Sequence, residues 1–403
     1  MGEHVGCVLN AAEASPEAIE GLVSRLGVTS LFLRGAVCVP GLRSKAPAVA
    51  DDGAAPGLRL TDDDSELRAA LGAARRAGVD AFLILTNPLV GRPGWSDLLA
   101  EDNTGRSASA ANGETPTLCP TRPKLAKWVA TAAGEVARVY KPAGVLLEDF
   151  SLGPPGDVET LFMCWCDRCQ ASVGDLGYDA DRVRLAMQGA RSKLESLAAR
   201  IAGVQSFGIA QFIEGIGFDT GLLEWLNFRA DSVSTCLLEA RKALAETDTG
   251  VRVGVLFKSP TAAMLAGQRR ADALRDATLA DFFVPVVCGG RAEALDTIAG
   301  HARAICGAAP DLDEAAALQL AARVHGYAGA PLPDTIGEMA APAADLLAAS
   351  AERELALVMA ASGAVPCWPA IDVAGLPAEL VADVAGRIAD GPADGLLYIG
   401  VPQ

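Results

Sequence analysis

Short apolar runs recur along the chain, and amphipathic segments separate them. His4–Leu9, Thr29–Arg34, Val79–Thr86, Gly144–Phe150, Val251–Phe257, Asp281–Val287, Val365–Ile371 and Gly395–Val401 each read as a buried strand. Their continuous Val, Leu, Ile and Phe content suits parallel strands covered on both faces. Apolar residues fall at helical spacing over Pro16–Leu26, Ser65–Ala77, Lys124–Tyr140, the long region Leu312–Ala361, and Ala378–Ala389. Eight strand–helix units predict an α/β fold, a closed (β/α)8 TIM barrel, over an open doubly wound sheet. One barrel domain is expected over residues 1–403, with 151–250 as an insertion or lid after the fourth strand. That insertion reads as a cysteine cluster, a helix near Arg182–Ile201, an irregular or short-strand segment Gln205–Gly221, and a helix from Leu222 to about Ala245. The polar stretches Pro40–Asp63 and Glu101–Pro116 read as exposed loops.

Composition narrows the classes. The chain has 403 residues, 51% of them hydrophobic, which is enough for a large core. A formal charge of −16 argues against nucleic acid and anionic membrane surfaces as partners. No apolar run reaches the roughly 18 residues that span a bilayer, and the start of the chain lacks a secretion pattern. The expectation is a cytoplasmic protein. Ten cysteines then read as reduced thiols or metal ligands rather than a disulfide framework. There is no G-x-G-x-x-G after the first run, no phosphate-binding G-x-x-x-x-G-K-[ST], and no G-x-S-x-G nucleophile turn. The three histidines, His4, His301 and His325, are scattered, and the last two read as exposed helix positions.

The densest chemistry lies in Leu146–Cys169, LLEDFSLGPPGDVETLFMCWCDRC. Cys164, Cys166 and Cys169 follow the order C-x-C-x-x-C, and Cys119 stands 44 residues upstream of the first. Four thiolates from two short segments make a closed tetrahedral cage, and zinc is the metal that such a cage favours. With no open position the zinc would be structural. It would stabilise an excursion that buries little core of its own. Free thiols and an iron–sulfur cluster are the weaker alternatives, and a radical-type cluster would want a different spacing.

The segments LCPTRPKL, GVLLEDF, CWCDRC and WLNFRADSV, set on the barrel pattern, resemble the beta-galactosidase family 42 of glycoside hydrolases and related TIM-barrel hydrolases. The likeness runs from about Val79 to Ser259. It implies a structural zinc on the four cysteines beside an active site that hydrolyses a glycoside. The family often forms trimers, so a homo-oligomer is implied as well. The family's fourth strand ends in Asn-Glu, with Glu as acid/base. Here the pair is Glu148-Asp149, and either residue can take that place.

In a parallel barrel, chemistry sits at the C-terminal strand ends. Those ends supply Arg34, Asn87, Glu148, Asp149, Lys258, Trp368, Asp372 and Tyr398, and the excursion adds Glu214 and Arg229. Glycosyl hydrolysis needs two carboxyl groups across the scissile bond. Glu148 or Asp149 is the candidate acid, and Asp372 the candidate second group, with Glu214 in reserve. Strand alternation predicts that only one of Glu148 and Asp149 faces the barrel mouth. Arg34, Asn87, Arg229, Lys258, Trp368 and Tyr398 are candidate contacts for a small carbohydrate. Low aromatic content, 5%, disfavours a polysaccharide.

Plainer roles stand beside these. Arg34 or Lys258 would tie the two acids into strand-end ion pairs, Asp372 would cap a loop, Glu214 would be solvated, and Trp368 would pack in the core. An imine-forming Lys258, as in an aldolase or lyase, is the competing chemistry. A non-catalytic sugar-binding barrel is the third reading.

Overall fold

The computed structural model describes residues 4–92, 94–106, 116–153, 156, 161–202, 220–247, 250–268, 277–289, 292–361 and 363–402. Each of the eight apolar runs overlaps a strand: β1 (His4–Asn10), β2 (Ser30–Arg34), β3 (Asp80–Leu85), β4 (Gly144–Glu148), β5 (Arg252–Phe257), β6 (Phe282–Gly289), β7 (Ala370–Asp372) and β8 (Gly395–Ile399). All pair in parallel, each with its neighbours in sequence, and β1 closes on both β2 and β8. The chain is a closed (β/α)8 barrel.

The outer layer follows the helical spacing. It includes α1 (Pro16–Leu26), α2 (Ser65–Arg76), α3 (Pro123–Tyr140) and, after β4, α4 (Asp167–Asp175), α5 (Ala180–Ala202) and α6 (Thr220–Ala245). Later come α7 (Glu293–Ala308), α8 (Glu314–Val324), α9 (Ala344–Ala361) and α10 (Ala378–Asp390). The helix α6 packs along α3 and so covers the barrel after β4.

Three stretches differ from expectation. The region read as one long helix is broken after Val324 by Gly326 and Gly329, both at positive φ, and by Pro331 and Pro333. The Pro40–Asp63 stretch is not all loop, since Ala54–Ala55 pairs antiparallel with Leu58–Arg59 across a Pro56-Gly57 turn. The strand β7 begins only at Ala370, because Pro366 and Pro369 lack ladder donors. Most of the predicted segment Gln205–Gly221 lies outside the described residues.

The barrel interior is filled by aromatic rings. Phe32 stacks on Phe82 at 4.6 Å and Phe282 on Trp368 at 4.7 Å. Glycines on the neighbouring strands β4 and β5 make the room. A Cβ at Gly144 would lie 2.2 Å from the Phe82 ring, and one at Gly254 would lie 2.3 Å from Phe282. Burying each such ring contributes roughly 1.5–3 kcal/mol. This plug closes the lower barrel and leaves the C-terminal mouth as the place where polar groups can gather.

Candidate functional site

A cavity of about 380 Å³ opens at that mouth. Arg34 from β2, Asn87 after β3, Glu148 and Asp149 at the end of β4, Lys258 after β5 and Asp372 at the end of β7 all line it. So does Glu293, the first residue of α7, which the strand-end reading missed because it belongs to a helix start. Its only sequence signal is an acid in the turn after the sixth strand.

Both carboxylates of the Glu148-Asp149 pair face the cavity, contrary to the alternation rule. The rule fails because β4 ends at Glu148 and Asp149 turns into the left-handed region, with φ +46°. Aspartate tolerates that conformation better than most residues. The turn swings the second carboxylate back beside the first.

The two acids meet different surroundings. The Arg34 guanidinium grips both oxygens of Glu148, through Nη2 on Oε1 and through Nε on Oε2 at 3.4 Å. Asp149 instead shares the Lys258 ammonium with Glu293. Lys258 Nζ lies 2.9 Å from Asp149 Oδ2 and 2.7 Å from Glu293 Oε1. The Gln268 amide approaches Asp149 Oδ1 at 3.5 Å and donates to the Phe150 carbonyl at 3.3 Å. Its own oxygen accepts from the Lys258 backbone N–H at 2.9 Å.

Burial raises the Asp149 carboxyl to about 6, against the pull of Lys258 and with a further push from Glu293. Burial works against the Lys258 charge, yet the two carboxylates outweigh it and hold the ammonium above the ordinary lysine range. Asp372 accepts from the Ala374 N–H at 3.1 Å and has no cation partner among the described residues.

The remaining candidates separate. Asn87 lines the cavity but spends its amide on the chain, donating to the Ser151 carbonyl at 3.0 Å and accepting from the Leu89 N–H at 2.9 Å. Trp368 is not at the mouth. It precedes β7 and stacks on His4 at 5.0 Å, at the N-terminal end of the barrel. Tyr398 packs between barrel and helices, because Leu397 and Ile399 on either side of it point inward. Arg229 is buried away from the cavity and donates to the Leu265 carbonyl at 3.1 Å. Burial lowers its guanidinium to about 10, although Cys164 opposes the shift. Glu214 lies outside the described residues. His301 and His325, expected to be exposed and apart, are half-buried and hydrogen-bonded at 2.8 Å.

The four cysteines converge. Cys119, Cys164, Cys166 and Cys169 are all buried, and their sulfurs lie within 4.8 Å of one another. Cys119 Sγ stands 3.5 Å from both Cys166 Sγ and Cys169 Sγ. That is far beyond a disulfide bond of about 2.05 Å. It is close to the edge of about 3.8 Å that a tetrahedron with metal–sulfur bonds of about 2.3 Å requires. The set therefore fits a metal ion. The Thr121 hydroxyl, 3.1 Å from Cys119 Sγ and 3.4 Å from Cys169 Sγ, is a neighbour that the cysteine spacing did not reveal.

Phe162, Met163, Trp165, Trp225 and Phe228 pack around the sulfurs as a separate apolar cluster. The cluster bridges the same two loops that shape the cavity. One runs from Asn87 to Cys119, the other from Asp149 to Cys169. They are also joined by the Asn87–Ser151 bonds and by the Thr117 hydroxyl on the Leu152 carbonyl at 3.5 Å.

Solved structures share this architecture. The PgaB (BpsB) glycoside hydrolase domain from Bordetella bronchiseptica matches with a TM-score of 0.54 at 12% identity, over 99% of this chain and 94% of that one. A beta-galactosidase from Rahnella sp. R3 matches with a TM-score of 0.43 at 16% identity, over 72% of this chain and 39% of that one. A chitinase from Chromobacterium violaceum matches with a TM-score of 0.41 at 10% identity. At such identities the likeness establishes the fold alone, and it rests on the first of these. No protein-family model and no curated protein matches the chain. Among the described residues no helix is long and apolar enough to cross a membrane.

Proposed function

We propose that the protein hydrolyses a glycosyl bond in a small carbohydrate, with Asp149 as the general acid. The observation that carries this reading is the Asp149 carboxyl, lifted to about 6 inside the mouth of the barrel. A carboxyl in that range keeps a proton to give to a leaving oxygen near neutrality.

The choice among the other acids follows from their partners. Both oxygens of Glu148 belong to Arg34, and Glu293 has one oxygen on Lys258 and the other on the Ser259 N–H at 3.1 Å. Asp372 keeps its charge unpaired by any described cation, so it is the second carboxylate, acting on sugar or on water. The order of events follows. Asp149 protonates the leaving oxygen as the bond breaks, Asp372 stabilises the positive charge at the sugar carbon or directs water to it, and Lys258 steadies the Asp149 carboxylate that remains.

Lys258 itself is a poor imine former. Two carboxylates hold it protonated, whereas imine chemistry needs the neutral amine. That weighs against the aldolase or lyase alternative. No aromatic side chain among the described residues lines the cavity, which supports a small substrate over a polysaccharide.

In this reading the four cysteines hold a structural zinc, with no position left for substrate. The zinc would keep the loops after β3 and β4 in register beside Asp149. The segments that resemble family 42, LCPTRPKL, GVLLEDF and CWCDRC, favour both parts of the reading.

The test is a panel of aryl glycosides offered to the wild type, Asp149→Asn and Asp372→Asn. Turnover by the wild type that falls by about 10²–10⁴ is expected in Asp372→Asn, and in Asp149→Asn on the members of the panel with poorly acidic leaving groups. A folded wild type that cleaves none of the panel would move the weight to a sugar-binding barrel without hydrolysis.

A further inference from the structure

Glu354 sits in α9, outside the cavity, and is 1% exposed. No cation among the described residues forms an ion pair with it. A buried carboxylate without a cation is costly, and an apolar residue of the same size would pack there at less expense. Its contacts show what it holds. Oε2 accepts from the Thr261 backbone N–H at 2.9 Å, and Oε1 accepts from the Thr261 hydroxyl. Oε1 also accepts from the Tyr327 hydroxyl at 2.7 Å, which in turn lies 3.1 Å from Ser350 Oγ.

Thr261 is three residues beyond Lys258, in the short turn Pro260–Ala263. Three side-chain acceptors therefore fasten consecutive parts of one segment: Gln268 on the Lys258 N–H, Glu293 on the Ser259 N–H, and Glu354 on Thr261. The first two belong to the cavity network and the third braces the segment from behind.

We infer that Glu354 is a positioning residue for the acid: it fixes the Lys258–Thr261 segment so that the Lys258 ammonium stays on Asp149. The groups that set the Asp149 charge are Lys258 after β5, Glu293 on α7 and the Ser151 hydroxyl; the Gln268 amide approaches it, and the Glu148–Arg34 pair and Asp372 line the same cavity. The inference takes its catalytic meaning from the hydrolytic reading. Its test reads the carboxyl directly, so a failure of hydrolysis and a failure of the brace give different results.

The test is carboxyl 13C NMR titration of Asp149 in the full chain. Two effects of Glu354→Gln have opposite signs. Removing a nearby negative charge alone would lower the Asp149 pKa, whereas letting Lys258 drift would raise it. The brace predicts a rise in Asp149 proton affinity of about tenfold, or about one pH unit. Thr261→Val removes only the hydroxyl contact, leaves every charge in place, and should raise it by a smaller amount in the same direction. In a Lys258→Met background the rise should vanish, leaving only the fall that losing a nearby negative charge produces. A fall or no change in Glu354→Gln, or a rise that persists without Lys258, would overturn the inference. If Glu354→Gln does not fold, Thr261→Val decides alone, and an unchanged Asp149 there overturns it.

Discussion

The cysteine cluster and the carboxylate cavity draw on the same two loops and manage charge in opposite ways. At the cluster, four buried sulfurs turn toward one another inside a shell of aromatic side chains. Every sulfur faces a common centre, which suits a structural role. At the cavity, each acid has a different partner. Glu148 is gripped by Arg34, Asp149 and Glu293 divide one ammonium, and Asp372 has no cation partner among the described residues. Closure gives stability, whereas similar acids with different partners in one cavity are open to different chemical roles.

The largest effect is expected at the cysteine cluster. Purified protein should carry one zinc per chain, and Cys166→Ser should lose it and lower the thermal midpoint by on the order of 10 °C. Metal analysis and a melting curve check both. A metal-free wild type with unchanged stability would make the four cysteines ordinary core residues.

The next effect is chemical. On a glycoside with a poorly acidic leaving group, Asp149→Asn should cut turnover by about 10²–10⁴ with little change in the melting curve, while Glu148→Gln should cut it by tenfold or less. Steady-state kinetics on a cleaved glycoside separates the two acids.

A smaller effect sharpens the cavity's electrostatics. The folded state holds the Asp149 proton more tightly than the unfolded chain, at about 6 against 3.8. Its contribution to stability is therefore complete below about pH 4 and is lost as pH rises through 6. Denaturant unfolding across that window should show a downward slope in the wild type that flattens in Asp149→Asn.

The smallest effects belong to the surface-facing pair and the barrel plug. Arg34 is about one-third exposed, so Arg34→Met should cost only about 1 kcal/mol in urea unfolding. Trp368→Phe should leave KM unchanged, since the ring lies at the far end of the barrel.

The barrel was legible because continuous apolar runs and helical spacing are one-dimensional signals, and all eight runs overlap strands. The cysteine cluster was legible for the same reason, since soft ligands at short spacing point to each other. The mouth was harder. Trp368 was misplaced because Pro366 and Pro369 delay the strand start, which moves the ring from one end of the barrel to the other. Tyr398 was assigned by its position near a strand end, but the two-residue period turns it outward. Glu293 and Glu354 carry no motif, because their roles exist only where β5, α7 and α9 meet. Asp149 shows the limit most clearly. Its place beside Glu148 depends on one left-handed backbone angle that strand alternation does not encode.

The most direct test of the central claim uses leaving groups of graded acidity. Aryl glycosides from dinitrophenyl to simple phenyl, and then an alkyl glycoside, would be hydrolysed by wild type and by Asp149→Asn. A leaving oxygen that is already stable as an anion needs no proton, so the variant should nearly match the wild type on the dinitrophenyl substrate. It should fall progressively behind as the leaving group becomes less acidic. An equal loss on every substrate, or no loss on any, would contradict Asp149 as the acid.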